Sequence, residues 1–198
     1  MTTLSVHPDL DLIAAKAIDG WMLEEELEWI RDVARCFNVI IEIGIWKGRS
    51  TKVWAAYTSG TVIAIDHFLG STKGDDGIVH EAFKTLGGQS RLINSAIGNL
   101  SKELGAGKLF IIPLPSELAY RNVMELLFGM KADVLFIDGD HYSTPRDLSL
   151  YSTLVKEDGL ICGHDRGHDG VRAAINQINY KEGTGSIWYT KKSEMKKS

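Results

Sequence analysis

The chain has 198 residues, 44% of them hydrophobic and 24% charged, with a formal net charge of −4 and a pI near 5.9. That length supports a domain with a sizeable core, and the composition is ordinary for a folded globular protein. The acidic balance excludes a nucleic-acid grip driven by overall charge, and no apolar run reaches the ~20 residues needed to span a bilayer.

Cys36 and Cys162 lie in apolar settings, Ala-Arg-Cys-Phe and Leu-Ile-Cys-Gly. They read as buried free thiols in a reducing compartment. The opening Met-Thr-Thr-Leu-Ser-Val-His-Pro has no basic stretch followed by an apolar core, so the expected location is cytoplasmic. The one basic cluster, Lys191, Lys192, Lys196 and Lys197, reads as a solvated tail.

Residues 9–37 predict helix with a break at Asp19-Gly20. In the second segment Leu23, Leu27, Ile30, Val33, Ala34 and Phe37 recur at three- and four-residue spacing, and Glu24 to Glu26 stand where the helix dipole favours acids. Asn38-Val-Ile-Ile-Glu-Ile-Gly-Ile-Trp-Lys-Gly-Arg-Ser-Thr51 is a β-branched run that passes through Gly44 and Gly48 into a helix expected over Arg49 to Thr58. Strand, glycine turn and helix in succession open a nucleotide-binding α/β unit, whose helix N–H groups anchor a ligand. Thr61 to Asp66 predicts the second strand. Its terminal carboxylate, 22 residues after Gly44, is placed to accept from ribose hydroxyls.

Residues 69–93 break the rhythm with a Gly/Ser/Asp-rich run, a short helix expected over Ile78 to Leu86, and Gly87-Gly88. The insertion reads either as a substrate-covering lid or as a disordered loop. Ile93 to Leu104 predicts a helix and Lys108 to Pro113 the third strand. Ser116 is the expected cap of a helix over Glu117 to Phe128. Ala132 to Asp138 predicts the fourth strand, running into Gly139-Asp140-His141-Tyr142-Ser143. Thr144-Pro145 opens a helix to about Val155. Gly159 to Asp165, a helix over Gly170 to Ile178 and a strand over Ser186 to Thr190 complete the pattern.

This alternation predicts an α/β fold, a Rossmann-like, doubly wound and mostly parallel sheet with N-terminal helices, in one domain over residues 1–198. In such a sheet ligands lie outside the carboxyl ends of the strands. Those ends are Gly44 to Gly48, Asp66-His67, Pro115-Ser116, Asp138 to His141 and His164-Asp165. A dinucleotide turn would read Gly-x-Gly-x-x-Gly; this one reads Glu-x-Gly-x-x-x-Gly and carries Trp46 and Lys47 inside it.

Taken together, the motifs resemble the class I S-adenosylmethionine-dependent methyltransferases. They are most similar to the small O-methyltransferase group typified by macrocin O-methyltransferase and cephalosporin-hydroxylase-like proteins. The resemblance rests on Glu42-Ile-Gly-Ile-Trp-Lys-Gly-Arg-Ser-Thr51, Phe136-Ile-Asp-Gly-Asp-His141 with Arg146-Asp-Leu148, and Gly159-Leu-Ile-Cys-Gly-His-Asp165 with Gly170-Val-Arg172. Gly20-Trp21 ahead of the acidic helix adds to it.

The resemblance implies S-adenosylmethionine as cofactor and a small hydroxylated acceptor, a sugar or secondary metabolite. Gly44, Ile45 and Trp46 would line the methionine moiety within the turn closed by Gly48, with Glu42 and Ser50 fixing the turn or the amino-acid end. Asp66 would accept from the ribose, His67 would lie beside the adenosine, and Pro115-Ser116 would flank the adenine. Asp138, next to the cofactor and with His141 an expected catalytic residue, and Asp165 correspond to carboxylates that bind a divalent ion in metal-dependent relatives, with His164 as a further candidate ligand. His141 corresponds to the general base. Magnesium held by carboxylates would lower the pKa of the acceptor hydroxyl; Arg166 stands where catechol-type relatives carry asparagine, which leaves metal assistance and transfer without metal both open. A dinucleotide-dependent oxidoreductase and a non-catalytic binding module on the same fold are the alternatives, and a homo-oligomer is open.

Overall fold

The computed structural model describes residues 9–70 and 83–195. A seven-stranded sheet in the order β3-β2-β1-β4-β5-β7-β6 forms its centre. The strands are β1 Val39–Ile43, β2 Thr61–Ile65, β3 Leu109–Ile112, β4 Ala132–Ile137, β5 Val155–Gly163, β6 Lys181–Glu182 and β7 Trp188–Lys191. β1 to β5 are parallel neighbours, whereas β7 runs antiparallel between β5 and β6.

Alternation along each strand explains why the strands read as unbroken apolar runs. Ile40, Val62, Ala64, Val134 and Phe136 face a core built with α1 (Leu10–Lys16), α2 (Glu24–Ala34), α3 (Arg49–Tyr57) and α4 (Gln89–Asn99). Ile41, Ile43, Ile63, Ile65, Leu135 and Ile137 face the opposite core, closed by α6 (Ser116–Leu127), α7 (Thr144–Tyr151) and α8 (Asp169–Ile175). Each fully buried isoleucine contributes roughly 1.5–3 kcal/mol, so a strand with both faces covered has no room for a polar face. Register is pinned at the other end of the sheet, where Asp133 accepts the N–H groups of Asn38 and Val39 at 3.0 and 2.8 Å.

Several local expectations are corrected. The helix expected from Ile93 begins at Gln89 and is divided at Leu100, after which α5 spans Ser101–Gly105. β5 starts at Val155, because Val155 pairs with Ala132 across an irregularity in the ladder before Leu160 pairs with Val134. Ser116 does not cap α6: Pro115 holds that position, and the Ser116 hydroxyl is engaged by Asp147. Cys36 is exposed, while Cys162 is buried, where desolvation raises its thiol well above the ordinary value. The two-residue β6 was not expected at all. Of the candidate lid, residues 71–82 lie outside the described residues, and with them the first part of the helix expected from Ile78; residues 83–86, its last turn, are helical. Among the described residues no helix is long and apolar enough to cross a membrane.

Candidate active site

Strand order reverses between β1 and β4, and a crevice opens there at the carboxyl ends. Backbone bonds continue past the last strand residues, from Gly44 N–H to Ile65 O, Asp138 N–H to Ile43 O and His164 N–H to Ile137 O. They set the ends of β2, β1, β4 and β5 side by side. A cavity of about 660 Å³ lies over them. Gly44, Ile45, Trp46, Ser50, Asp66, His67, Ser116, Asp138, His141, His164 and Asp165 all line it, whereas Glu42 and Gly48 lie behind the wall.

The glycine turn is shaped by the protein around it. A Cβ on Gly44 (φ +96°) would sit 2.1 Å from the Asp138 carbonyl oxygen, and one on Gly48 (φ +91°) would meet Leu100 at 2.8 Å. The first glycine therefore permits β1 and β4 to converge, and the second opens α3 in the left-handed conformation. Asp66 ties the turn down: its Oδ2 accepts the N–H groups of Ile45 and Trp46 at 2.8 and 2.9 Å, and its Oδ1 accepts that of Phe68. A carboxylate offers about four lone-pair sites, so three bonds leave capacity for another donor. Behind the turn, Ser50 donates to Glu42 at 2.6 Å. Burial pushes the Glu42 carboxyl up to about 8 against that bond, so it is neutral at pH 7.

At the adenine-side wall expected from the sequence, Ser116 donates to Asp147 at 2.6 Å and accepts from Arg146 at 3.1 Å. His67 Nδ1 accepts the Leu69 N–H at 2.9 Å, which assigns the proton of the neutral ring to Nε2. Trp46 Nε1 and Arg49 Nε are buried donors that have no hydrogen-bond partner among the described residues, and both residues line the cavity. Buried donors of this kind suit an anionic group arriving beside the turn.

On the other side His141, carried by the 3-10 turn His141–Ser143 that Asp140 caps, lies 2.8 Å from Asp165 Oδ2 through Nε2. It stacks on His168 with ring centroids 3.9 Å apart. His164 lies between three carboxylates. Its Nε2 is 3.0 Å from Glu26, and its Nδ1 is 3.2 Å from Asp165 and 3.4 Å from Asp138. Burial opposes its charge, yet these acids push it up to about 12. Desolvation likewise works against Asp165, but bonds from His141 and His164 hold its carboxyl well below the usual range. For Asp138 burial wins over the pull of His164, and its carboxyl is raised.

Ligand atoms of Asp138, His164 and Asp165 fall within 4.8 Å of one another. Two carboxylate oxygens and an imidazole nitrogen, with a carboxylate on the far ring nitrogen, fit a divalent cation. Arg166 does not oppose it: its guanidinium turns to the Ile187 carbonyl and to Glu182. Glu26, Trp21, Met22, Arg49 and Arg146, which were not among the expected site residues, complete the site together with His168. For Glu26 a signal existed, since it stands one turn before Ile30 on the buried face of α2.

A methyltransferase-domain family matches residues 41–166, well over half of the chain. The chain belongs to the methyltransferase-domain family. The match spans the glycine turn, the β4 end and the β5 end, and it sets aside the dinucleotide oxidoreductase. A search of curated proteins finds no match. Among solved structures the fold of this methyltransferase resembles cofactor-bound Rv0187 from MTB, with a TM-score of 0.68 at 16% identity over 98% of this chain and 93% of that one. It also resembles the O-methyltransferase TomG from Streptomyces achromogenes, involved in tomaymycin synthesis and solved with SAM (0.65, 14%, 95% and 92%). A third is an O-methyltransferase from Bacillus cereus in complex with SAH (0.61, 16%, 94% and 92%).

Proposed function

We propose that the chain transfers the methyl group of S-adenosylmethionine to a hydroxyl of a small molecule. The observation that carries this reading is the His141–Asp165 pair, set across one cavity from the glycine turn of a methyltransferase domain. The turn Gly44-Ile45-Trp46 would hold the methionine end, with the unpartnered Trp46 Nε1 and Arg49 Nε facing its carboxylate. Asp66 would use its remaining lone pair on a ribose hydroxyl, and His67 and Ser116 would flank the adenosine. When bound, S-adenosylmethionine supplies an electrophilic methyl group.

Asp165 accepts from His141 Nε2–H, which puts the neutral ring's lone pair on Nδ1. There it takes the proton of the acceptor hydroxyl, and Asp165 stabilises the imidazolium that results. The cavity walls would hold donor and acceptor in line, the positioning that a displacement reaction requires. Asp138, His164 and Asp165 would hold a divalent cation, magnesium for instance, which would lower the hydroxyl pKa when bound. A thermal-shift comparison of S-adenosylhomocysteine with NAD tests the cofactor half: stabilisation by NAD alone would overturn it.

A further inference from the structure

We propose that Glu26 is a positioning residue for the strand-end cation site: it orients His164 so that Nδ1 is presented beside Asp138 and Asp165. The inference rests on the divalent-cation part of the reading above. Glu26 comes from α2, outside the sheet and 138 positions away from His164 in sequence, yet only 1% of it is exposed. Its Oε2 lies 3.0 Å from His164 Nε2. With that nitrogen engaged, Nδ1 is the one left toward the acids, 3.2 Å from Asp165 Oδ1 and 3.4 Å from Asp138 Oδ1.

A histidine that ligates through one nitrogen commonly gives its other N–H to a carboxylate, which fixes both ring orientation and tautomer. Glu26 supplies that partner, and it is itself immobilised. Oε2 also accepts the Leu23 N–H at 2.6 Å, and Oε1 accepts the Ser186 N–H at 2.7 Å and its hydroxyl at 3.1 Å. A side chain on Gly185 would collide with it at 2.2 Å. The ring's backbone is fixed as well, through Trp188 Nε1 donating to the His164 carbonyl at 3.2 Å. Capping α2 and anchoring Ser186 would need only the other three bonds. The His164 bond is the one that points into the site.

The test uses the full chain and Mn2+ as the probe, followed by calorimetry and by the electron-spin signal of the free ion. Wild type binds Mn2+, Asp138→Asn loses it, and Glu26→Gln weakens it roughly 10- to 100-fold while affinity for S-adenosylhomocysteine stays unchanged. Glu26→Gln binding Mn2+ as wild type does, with Asp138→Asn deficient, overturns the role of Glu26 and leaves the cation reading standing. No binding by wild type overturns both. If Glu26→Gln fails to fold, the wild type decides through 15N-histidine NMR in Mg2+: a proton on His164 Nε2 with Nδ1 bare supports the assignment, and a proton on Nδ1, alone or with one on Nε2, overturns it.

Discussion

The Asp66 carboxylate accepts the backbone N–H of Ile45 at 2.8 Å, so the end of β2 fastens the turn that follows β1. The same oxygen takes the Trp46 N–H. Asp66→Ala leaves both amides without their partner, at about 1–3 kcal/mol each if they stay dry. Chemical denaturation should therefore show a loss of stability together with weaker binding of S-adenosylhomocysteine. Weakened binding with undiminished stability would separate a ribose contact from the turn-holding role.

His141→Ala removes the proposed proton acceptor and leaves the cofactor wall intact. We expect kcat to fall about 10²- to 10⁴-fold with the affinity for S-adenosylhomocysteine retained. A variant that keeps its turnover would place the base elsewhere.

Glu42 carries a pH signature. Its ordinary value is 4.5, and burial pushes it to about 8 in the fold. The contribution of the neutral carboxyl is complete below about pH 4.5 and is lost as the pH rises through 8, because the unfolded chain ionises first. Glu42→Gln is neutral at every pH, so its melting temperature relative to wild type should climb between pH 5 and 8. Parallel profiles across that range would contradict a buried, protonated Glu42.

Lys52 on α3 and Glu103 on α5 form a buried pair at 3.1 Å, with side-chain exposures of 9% and 2%. Lys52 also donates to the Asn99 carbonyl, and Asn99 in turn donates to the carbonyl of Lys47 in the glycine turn. Glu103→Ala strands a buried ammonium and should cost about 3–5 kcal/mol, whereas the double replacement Lys52→Met with Glu103→Leu should come out near wild type. Denaturant midpoints of the three proteins distinguish these outcomes.

The sheet was legible because buried parallel strands must be apolar on both faces, and the candidate site because its polar residues follow those strands directly. Residues whose partners come from elsewhere in the chain were harder to read. Ser116, the first residue of α6, has the form of a cap, but Asp147, 31 positions on, takes its hydroxyl. Glu26 stands in an acidic triplet that the helix dipole explains on its own; its spacing to Ile30 marks it as inward-facing, but its partners His164 and Ser186 are visible only in the fold. Gly44 pointed to a close ligand, yet the nearest atom to its missing side chain is the Asp138 carbonyl. The exposed Lys181–Glu182 has no pattern to read, since an edge pairing this short buries nothing.

Glu26 and Ser186 meet across 160 positions of chain, and this separation sets an order of events during synthesis. A chain still on the ribosome can collapse its first strands and the glycine turn early, because those contacts are local. The imidazole at the end of β5 gains its complete set of neighbours only after Ser186 and Trp188 have emerged and β7 has slid in beside β5. Long-range closures of this kind are slow relative to local ones. A chain that ends before residue 186 would lack Ser186 and Trp188, and with them the bonds that hold the Glu26 carboxylate and the His164 carbonyl.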